Sequence, residues 1–261
     1  LEMETPMLQP QAGGAAARPF ESFYHALNCP MYLRIAPELY LKRLLVGGFE
    51  RVYELNRNFR NEGLSRNHNP EFTMLEFYQA YGDCRTMMET VESLITTVAE
   101  RVLGTRSLTV GDHDINLAGP WRRIPYADLV RERMGADWYE RPTDEKKAAG
   151  EALGLSLSEE MTDGEITHEI YEKVIEKTLI QPTFVTRLPA ELVPLAKRCE
   201  DDPSVVDVFE LEINGMEISP GYSELNDPLE QRRRFEAQSG NSPEEQDGGD
   251  ARIDEDFLTA M

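Results

Sequence analysis

The stretch 60–78 carries side chains that suit a ligand with an anionic part, a flat part and a cationic part. Arg60 follows directly after a predicted strand, and its guanidinium suits a phosphate or a carboxylate. Phe72 suits stacking on a flat ring, and Glu76 offers a carboxylate to an ammonium group. An ordinary hairpin with a solvated polar face is the alternative that these residues leave open.

An acidic hairpin is predicted around Asn214-Gly215, a pair typical of a two-residue turn. The predicted register pairs Ile213 with Met216, Glu212 with Glu217, Leu211 with Ile218, and Glu210 with Ser219. We expect the apolar members to share the core face: Leu211, Ile213, Met216 and Ile218. The other face holds Glu210, Glu212 and Glu217. Since like charges opposite each other destabilise a sheet, these carboxylates indicate a cation, and oxygen ligands favour Mg²⁺. A solvated acidic face is the alternative.

A third group, 221–227, follows this hairpin and adds one more carboxylate, Glu224. The run from Ser223 to Asp227 is typical of a helix start with Ser223 as its cap.

The elements that must position these groups follow from periodicity and from turn residues. Strands are predicted at 31–36, 51–59, 72–81, 183–186 and 207–218, with a polar loop at 61–71. Helices are predicted from Pro37 to Gly47-Gly48, over 85–103 up to Gly104, and over 144–153 and 169–179. Weaker patterns at 105–173 indicate a separate insertion, and the acidic 239–256 is expected to be an exposed loop.

The net charge of −21 excludes a broad nucleic-acid-binding surface, because phosphate binding needs a basic footprint. Residues after Glu160 include 24 acids and 9 bases, whereas the stretch 34–66 has seven bases and four acids. A polyanion is therefore expected at 34–66. No apolar run is long enough to span a membrane. Three scattered cysteines, Cys29, Cys84 and Cys199, indicate neither disulfides nor zinc and favour a cytoplasmic protein.

Residues 59–78, FRNEGLSRNHNPEFTMLEFY, closely resemble motif 2 of class II aminoacyl-tRNA synthetases in its lysyl form. The resemblance covers nearly the whole chain. It extends to METPML (3–8, with Pro6 as the motif 1 proline), GGAAARPF (13–20), residues 32–62, LIQPTFVTRLPAELVPLAK (179–197) and EINGMEISPGYSELND (212–227). It implies an α+β catalytic fold, an antiparallel sheet flanked by helices. The catalytic domain would comprise 1–104 and 174–261, with 105–173 as a small insertion.

The resemblance also implies site residues. Arg60 would contact the ATP α-phosphate and the lysine carboxylate and would be the catalytic residue. The remaining ATP contacts would come from Glu62, His68, Asn69 and Phe72. Lysine would be bound by Gly14 and Glu38 at its α-amino group and by Glu76, Tyr78 and Glu224 at its ε-ammonium, and Mg²⁺ by Glu210 and Glu217.

Two positions depart from the family pattern. Asn67 stands where an additional Arg often precedes the histidine. Pro220 stands where an Asn often helps to bind the amino-acid carboxylate, so that this carboxylate depends more on Arg60. The family also has an anticodon-binding domain, expected before Leu1, and a motif 3, expected after Met261. We therefore expect a fragment whose activity alone is impaired.

The implied activity is that of a homodimeric lysine–tRNA ligase that uses ATP and Mg²⁺. Lysine would attack the ATP α-phosphorus, and the lysyl-adenylate would react with tRNA(Lys). Two alternatives stay open: a synthetase paralogue that transfers a lysine-like group to a protein, and a non-catalytic dimerisation or binding module.

Overall fold

The computed structural model describes residues 1–11, 13–15, 17–65, 68–193, 196–239 and 258–259, with only the backbone at 234–239. These residues form two compact units, Leu1–Tyr81 with Asp227–Met261, and Gly82–Asn226. No helix within the described ranges is both long and apolar enough to cross a membrane. The acidic segment predicted as a loop lies outside the described residues from 240 to 256.

Strands and helices follow one another along the chain as separate short elements. The first unit contains β1 (Leu8–Gln9), β2 (Phe20–Tyr24), β3 (Cys29–Leu33), α1 (Glu38–Val46), β4 (Arg51–Phe59) and β5 (Glu71–Gln79). The second contains α2 (Cys84–Leu103), β6 (Ser107–Val110), β7 (His113–Asn116), β8 (Arg122–Pro125), α3 (Tyr126–Met134), α4 (Thr143–Ala152), α5 (Asp163–Ile170), β9 (Thr183–Thr186), β10 (Val208–Ile213) and β11 (Met216–Tyr222). Helix α6 (Pro228–Ser239) belongs to the first unit again.

The hairpin β4–β5 is antiparallel, with Arg51 opposite Gln79 and Phe59 opposite Glu71. The predicted strand 51–59 is confirmed, and its partner begins one residue earlier than predicted. In β4, the positions of buried and exposed side chains are inverted relative to a usual half-buried strand, in which the apolar side chains face the interior. The polar Glu54 and Asn58 are buried, whereas the apolar Leu55 is 57% exposed. The polar face of the hairpin is therefore the inner one, which places motif 2 side chains toward the interior of the unit.

Helices α1 and α2 begin and end close to where their sequence signals predict. Pro37 precedes α1, and Asp83 caps α2 by accepting a hydrogen bond from the Thr86 amide at 2.7 Å. Gly104 ends α2 with φ of +69°, a left-handed conformation that glycine adopts without strain. The start of α6 differs from the prediction. Asp227, not Ser223, caps it, because the Asp227 carboxylate accepts from the Leu229 amide at 2.9 Å.

The second unit is built on a four-stranded sheet in the order β11-β10-β9-β8. Its neighbours are antiparallel except β8 and β9, which pair in parallel. One face carries a core with Trp138, Ile166, Tyr171 and Val208. The predicted helix over 169–179 is confirmed as a helical segment. It consists of the end of α5, a π-helical turn (Tyr171–Ile175) and a 3₁₀ turn (Glu176–Thr178). The bounds of the insertion, 105–173, stay a prediction, and its strand β8 pairs with β9 outside those bounds.

The acidic hairpin keeps its predicted register next to the turn and departs from it beyond the first two pairs. Ile213 faces Met216 and Glu212 faces Glu217 as predicted, but a bulge follows and puts Leu211 opposite Ser219 and Glu210 opposite Pro220. The predicted core face is wrong in part, since Met216 is 42% and Ile218 is 46% exposed. A bulge inserts one extra residue into one strand and redirects the side chains beyond it. The two-residue turn by itself does not indicate one.

Candidate active site

Gly14 and Glu38 lie next to each other in the first unit. Glu38 begins α1, where the positive end of the helix dipole favours a carboxylate. Gly14 has φ of +90°, and a Cβ added there would lie 3.1 Å from Cβ and 3.7 Å from Oε2 of Glu38. The glycine backbone therefore lies close to the Glu38 side chain and to one of its carboxylate oxygens.

Lys42 lies one turn further along α1 and contacts this carboxylate. Its Nζ donates to Oε1 of Glu38 at 2.7 Å and lies 5.9 Å from the centroid of the Tyr78 ring. The Tyr78 hydroxyl donates to Oε1 of Glu76 at 2.7 Å. The structure thus brings together Gly14 and four of the first unit's side chains: Glu38, Lys42, Tyr78 and Glu76. Lys42 was not predicted from the sequence.

Arg60 and Phe72 lie side by side where the hairpin strands open into the loop. The guanidinium carbon is 5.3 Å from the centroid of the Phe72 ring, within cation–π range, and Nε donates to the Ile35 carbonyl at 3.4 Å. The Arg60 amide donates to the Pro70 carbonyl at 2.9 Å, which fixes the base of the loop. A cation and a flat ring are therefore presented together, as a nucleotide would require.

The loop residues predicted to contact ATP are exposed. Glu62, His68 and Asn69 are all on the surface, and Nδ1 of His68 lies 2.7 Å from Oγ of Ser65. The Ser65 amide also donates to the His68 carbonyl at 3.2 Å. Arg66 and Asn67 lie outside the described residues. This loop therefore offers its polar side chains to solvent rather than to the interior of the unit.

Arg34 is buried beneath the inner face of the hairpin. Its NH1 atom donates to Oε1 of Glu54 at 2.7 Å, and both side chains are 1% exposed. Thr5 donates to the other Glu54 oxygen through its hydroxyl at 2.6 Å. Burial works against ionisation, but the hydrogen bonds from Thr5 and Arg34 outweigh it and lower the pKa of Glu54. One of the bases in the predicted polyanion-binding stretch is thus neutralised inside the fold.

The second unit gathers five carboxylates around β10 and β11: Glu172, Glu176, Glu210, Glu212 and Glu217. Glu172 and Glu176 come from the turns after α5 and were not predicted. Their spacing of four residues in a helical pattern is the signal that could have revealed them.

Burial and the negative charges of neighbouring carboxylates raise the pKa of four of these carboxyls, those of Glu176, Glu210, Glu212 and Glu217. Burial, then the charges of Glu217 and Glu176, raises the pKa of Glu210 to about 8. Burial, then the charge of Glu176, raises the pKa of Glu212 to about 9. Tyr171 Oη lies 3.5 Å from Oε2 of Glu210, whereas Oε2 of Glu212 is buried and has no hydrogen-bond partner among the described residues. The group is electrostatically suited to a cation.

The tip of the acidic hairpin is held in place by its surroundings. The amides of Asn214 and Gly215 donate to the carbonyls of Ile180 and Leu179, both at 3.0 Å. Oδ1 of Asn214 lies 2.7 Å from Nδ1 of His113. A Cβ at Gly215, which has φ of +68°, would lie 2.8 Å from the Lys177 carbonyl oxygen, so the turn requires glycine.

Glu224 lies half-buried in the segment between β11 and α6, in the second unit. Pro220 occupies β11, which pairs with one other strand in the described sheet, so its missing N–H costs no ladder bond there. The predicted residues therefore fall in two groups. Those from Gly14 to Tyr78 belong to the first unit, and Glu210, Glu217 and Glu224 belong to the second.

The chain belongs to the class II tRNA synthetases (D, K and N), whose family profile matches residues 1–261. This membership confirms the resemblance seen in the sequence and the α+β fold class. Proteins named lysine–tRNA ligase are similar to the whole chain. That of Carboxydothermus hydrogenoformans is 51% identical over 266 residues, which is 100% of this chain and 54% of the relative. That of Staphylococcus saprophyticus is 48% identical over 264 residues, 100% of this chain and 53% of the relative. The chain thus spans about half the length of these relatives.

Proposed function

We propose that the protein is a lysine–tRNA ligase, which activates lysine with ATP and transfers the lysyl group to tRNA(Lys). The observation that carries the proposal is the group in the first unit. It offers acidic groups at two places, Glu38 beside Gly14 and Glu76 with Tyr78, as a substrate with two ammonium groups would need. Identities of 51% and 48% to proteins named lysine–tRNA ligase support the same reaction.

The first chemical step depends on charge neutralisation. The lysine carboxylate attacks the ATP α-phosphorus, the bond to the β-phosphate oxygen breaks, and pyrophosphate leaves. We assign Arg60 to the α-phosphate and the carboxylate, since it neutralises both reactants as they approach, and Phe72 to the adenine ring. Glu62, His68 and Asn69 would contact the rest of ATP from the exposed loop. Positioning and electrostatics, rather than proton transfer, then supply most of the acceleration.

In the second step, a terminal ribose hydroxyl of tRNA(Lys) attacks the lysyl carbonyl, and AMP leaves.

Glu76, Tyr78 and Glu224 would select for the ε-ammonium. A substrate with a neutral side chain in place of the ε-ammonium would leave these half-buried carboxylates without a counter-ion, which costs about 1–3 kcal/mol or more per group.

Glu210 and Glu217 would hold Mg²⁺. Among the described residues, no three His, Cys, Asp or Glu side chains form a ready metal site. Mg²⁺ is commonly held by one or two carboxylates together with substrate phosphates, so this pair fits an ion bound with ATP. The partnerless buried oxygen of Glu212 supports a need for positive charge there. When bound, Mg²⁺ would neutralise phosphate charge.

We further propose that the protein is a homodimer and that it is located in the cytoplasm. Residues 105–173 would be an insertion in its catalytic domain. The three cysteines are free, which is in keeping with a reducing compartment. Sedimentation velocity tests the dimer, because a single species of one-chain mass would contradict it.

The reaction is tested on the complete gene product that contains residues 1–261. We expect ATP–pyrophosphate exchange that requires lysine and Mg²⁺, followed by charging of tRNA(Lys). Absence of exchange would overturn the proposal. Exchange with transfer only to a protein acceptor would instead establish the paralogue, and neither activity would favour the binding module.

A further inference from the structure

The ion pair between Lys42 and Glu38 lies where the proposed lysine site needs an unoccupied carboxylate oxygen. Lys42 Nζ is 2.7 Å from Oε1 of Glu38, and the two side chains are only 17% and 19% exposed. A pair this shielded is screened less by salt than a surface pair and holds its geometry better. The orientation of the Glu38 carboxylate is therefore tied to Lys42.

The two oxygens of Glu38 have different surroundings. Oε1 accepts from Lys42, whereas Oε2 is directed to the side of Gly14, 3.7 Å from a Cβ built on that glycine. The glycine has no Cβ, and its positive φ brings its backbone close to Glu38 and Ala36. The Glu38 oxygen that lies near Gly14 is therefore not the one that Lys42 contacts.

The Lys42 ammonium is held from a second direction by Tyr78. It lies 5.9 Å from the centroid of that ring, and the Tyr78 hydroxyl donates to Glu76 at 2.7 Å. Lys42 thus connects the carboxylate proposed for the α-amino group with the pair proposed for the ε-ammonium.

We infer that Lys42 is a positioning residue: it binds Oε1 of Glu38 so that Oε2 faces Gly14 and receives the α-ammonium of lysine. Lys42 acts through Glu38 and does not itself touch the substrate. This inference rests on the proposed function. The opposite reading, in which Lys42 competes with the substrate for Glu38, predicts the opposite change in affinity.

The test replaces Lys42 with methionine, which keeps the aliphatic stem and removes the charge. In the complete gene product we expect the KM for lysine to rise about tenfold in ATP–pyrophosphate exchange, with kcat and the KM for ATP little changed. Lys42→Arg keeps a cation and should recover part of the loss. Arg43→Met, one residue along α1, is the matched control and should leave the KM for lysine unaltered.

An analogue separates positioning from general destabilisation. 6-Aminohexanoate lacks the α-amino group but keeps the carboxylate and the ε-ammonium. Its inhibition constant should change less than about twofold in Lys42→Met, because the interaction that Lys42 supports is absent. Equal weakening of lysine and the analogue would show a structural role and overturn the inference. Should Lys42→Met not fold, Lys42→Gln provides the same comparison.

Two failures are distinguishable. If the unsubstituted protein shows no lysine-dependent exchange, the proposed function fails. If it exchanges well and Lys42→Met leaves the KM for lysine unchanged or lowers it, the positioning role alone fails, and a lowered KM would identify Lys42 as a competitor.

Discussion

Glu54 and Glu76 lie directly opposite each other across the hairpin β4–β5, yet the protein surrounds them differently. Glu54 is 1% exposed and accepts hydrogen bonds from Arg34 and Thr5, whereas Glu76 accepts one from the Tyr78 hydroxyl. Like charges directly opposite each other destabilise a sheet. Because Arg34 neutralises Glu54, the hairpin can keep Glu76 as the carboxylate that we propose for the ε-ammonium.

Removing the charge of Glu54 should destabilise the first unit. In Glu54→Gln the Arg34 guanidinium stays buried without its counter-ion, so we expect the free energy of unfolding to fall by about 3 kcal/mol at neutral pH. Denaturant titration followed by circular dichroism measures it. Glu71→Gln is the control. Its partner Arg57 lies at 3.4 Å with both side chains more than half exposed, so that change should be below about 0.5 kcal/mol.

The ion pair between Arg34 and Glu54 predicts that the free energy of unfolding depends on pH. The pKa of Glu54 is lowered from 4.5 on folding, so its contribution to stability is present above pH 4.5 and is lost as the pH falls through the folded-state pKa. We expect the difference in unfolding free energy between the unsubstituted protein and Glu54→Gln to shrink over that range. A difference that stays constant below pH 4.5 would contradict the assignment.

Arg60→Ala should reduce lysine-dependent exchange by a factor of about 100 or more, since one well-placed electrostatic donor contributes about 3 kcal/mol to a transition state. The rate of ATP–pyrophosphate exchange is the measurement. Arg57→Ala changes an exposed arginine on the outer face of the same strand and should leave the rate near its starting value. Equal rates in both variants would remove Arg60 from the reaction.

Glu76→Gln should weaken the discrimination between lysine and norleucine, because the amide cannot neutralise the ε-ammonium. We expect kcat/KM for lysine to fall by about 100-fold and that for norleucine to change little. Tyr78→Phe removes only the hydrogen bond to Glu76 and should give a smaller effect. Unaltered selectivity in Glu76→Gln would end the assignment of this carboxylate to the side-chain ammonium.

Glu212→Leu should stabilise the second unit. The Glu212 side chain is 1% exposed, and its Oε2 has no hydrogen-bond partner, so an apolar replacement removes a buried unsatisfied group worth about 1–2 kcal/mol. A higher Tm with an unchanged Mg²⁺ requirement is expected. Glu210→Gln, by contrast, should raise the Mg²⁺ concentration needed for exchange. A raised Mg²⁺ requirement in Glu212→Leu would show instead that Glu212 is itself a ligand.

Much of the local structure is predictable from the sequence because one strong signal decides it. The alternation in 51–59 gives the strand β4, Gly104 ends α2, and Asn214-Gly215 forms the predicted turn. The side chains that share the inner face of β4 also follow from the period of two, although their burial does not. A polar alternation indicates which residues share a face, not whether that face meets solvent or the interior.

The remainder depends on residues that are distant in sequence. The burial of Arg34 requires Glu54 and Thr5 to meet it, and the bulge beside Leu211 depends on how the strand packs beyond the turn. The spacing of Glu172 and Glu176 indicates that they share a helical face, but their approach to the acidic hairpin depends on how that helical segment packs. Lys42 is a common surface residue type on a helix, and its contact with Tyr78 depends on tertiary packing.

The inverted hairpin β4–β5 has a practical consequence for anyone who builds variant libraries of this protein. Scoring schemes that expect apolar residues at interior positions would change Asn58 and Glu54 to aliphatic residues and would conserve Leu55 and Leu75. These two leucines are 57% and 41% exposed. In this hairpin, these polar residues are buried and these leucines are exposed. Sequence diversity should be directed to the outward aliphatic positions, while the inward amides and acids are kept fixed.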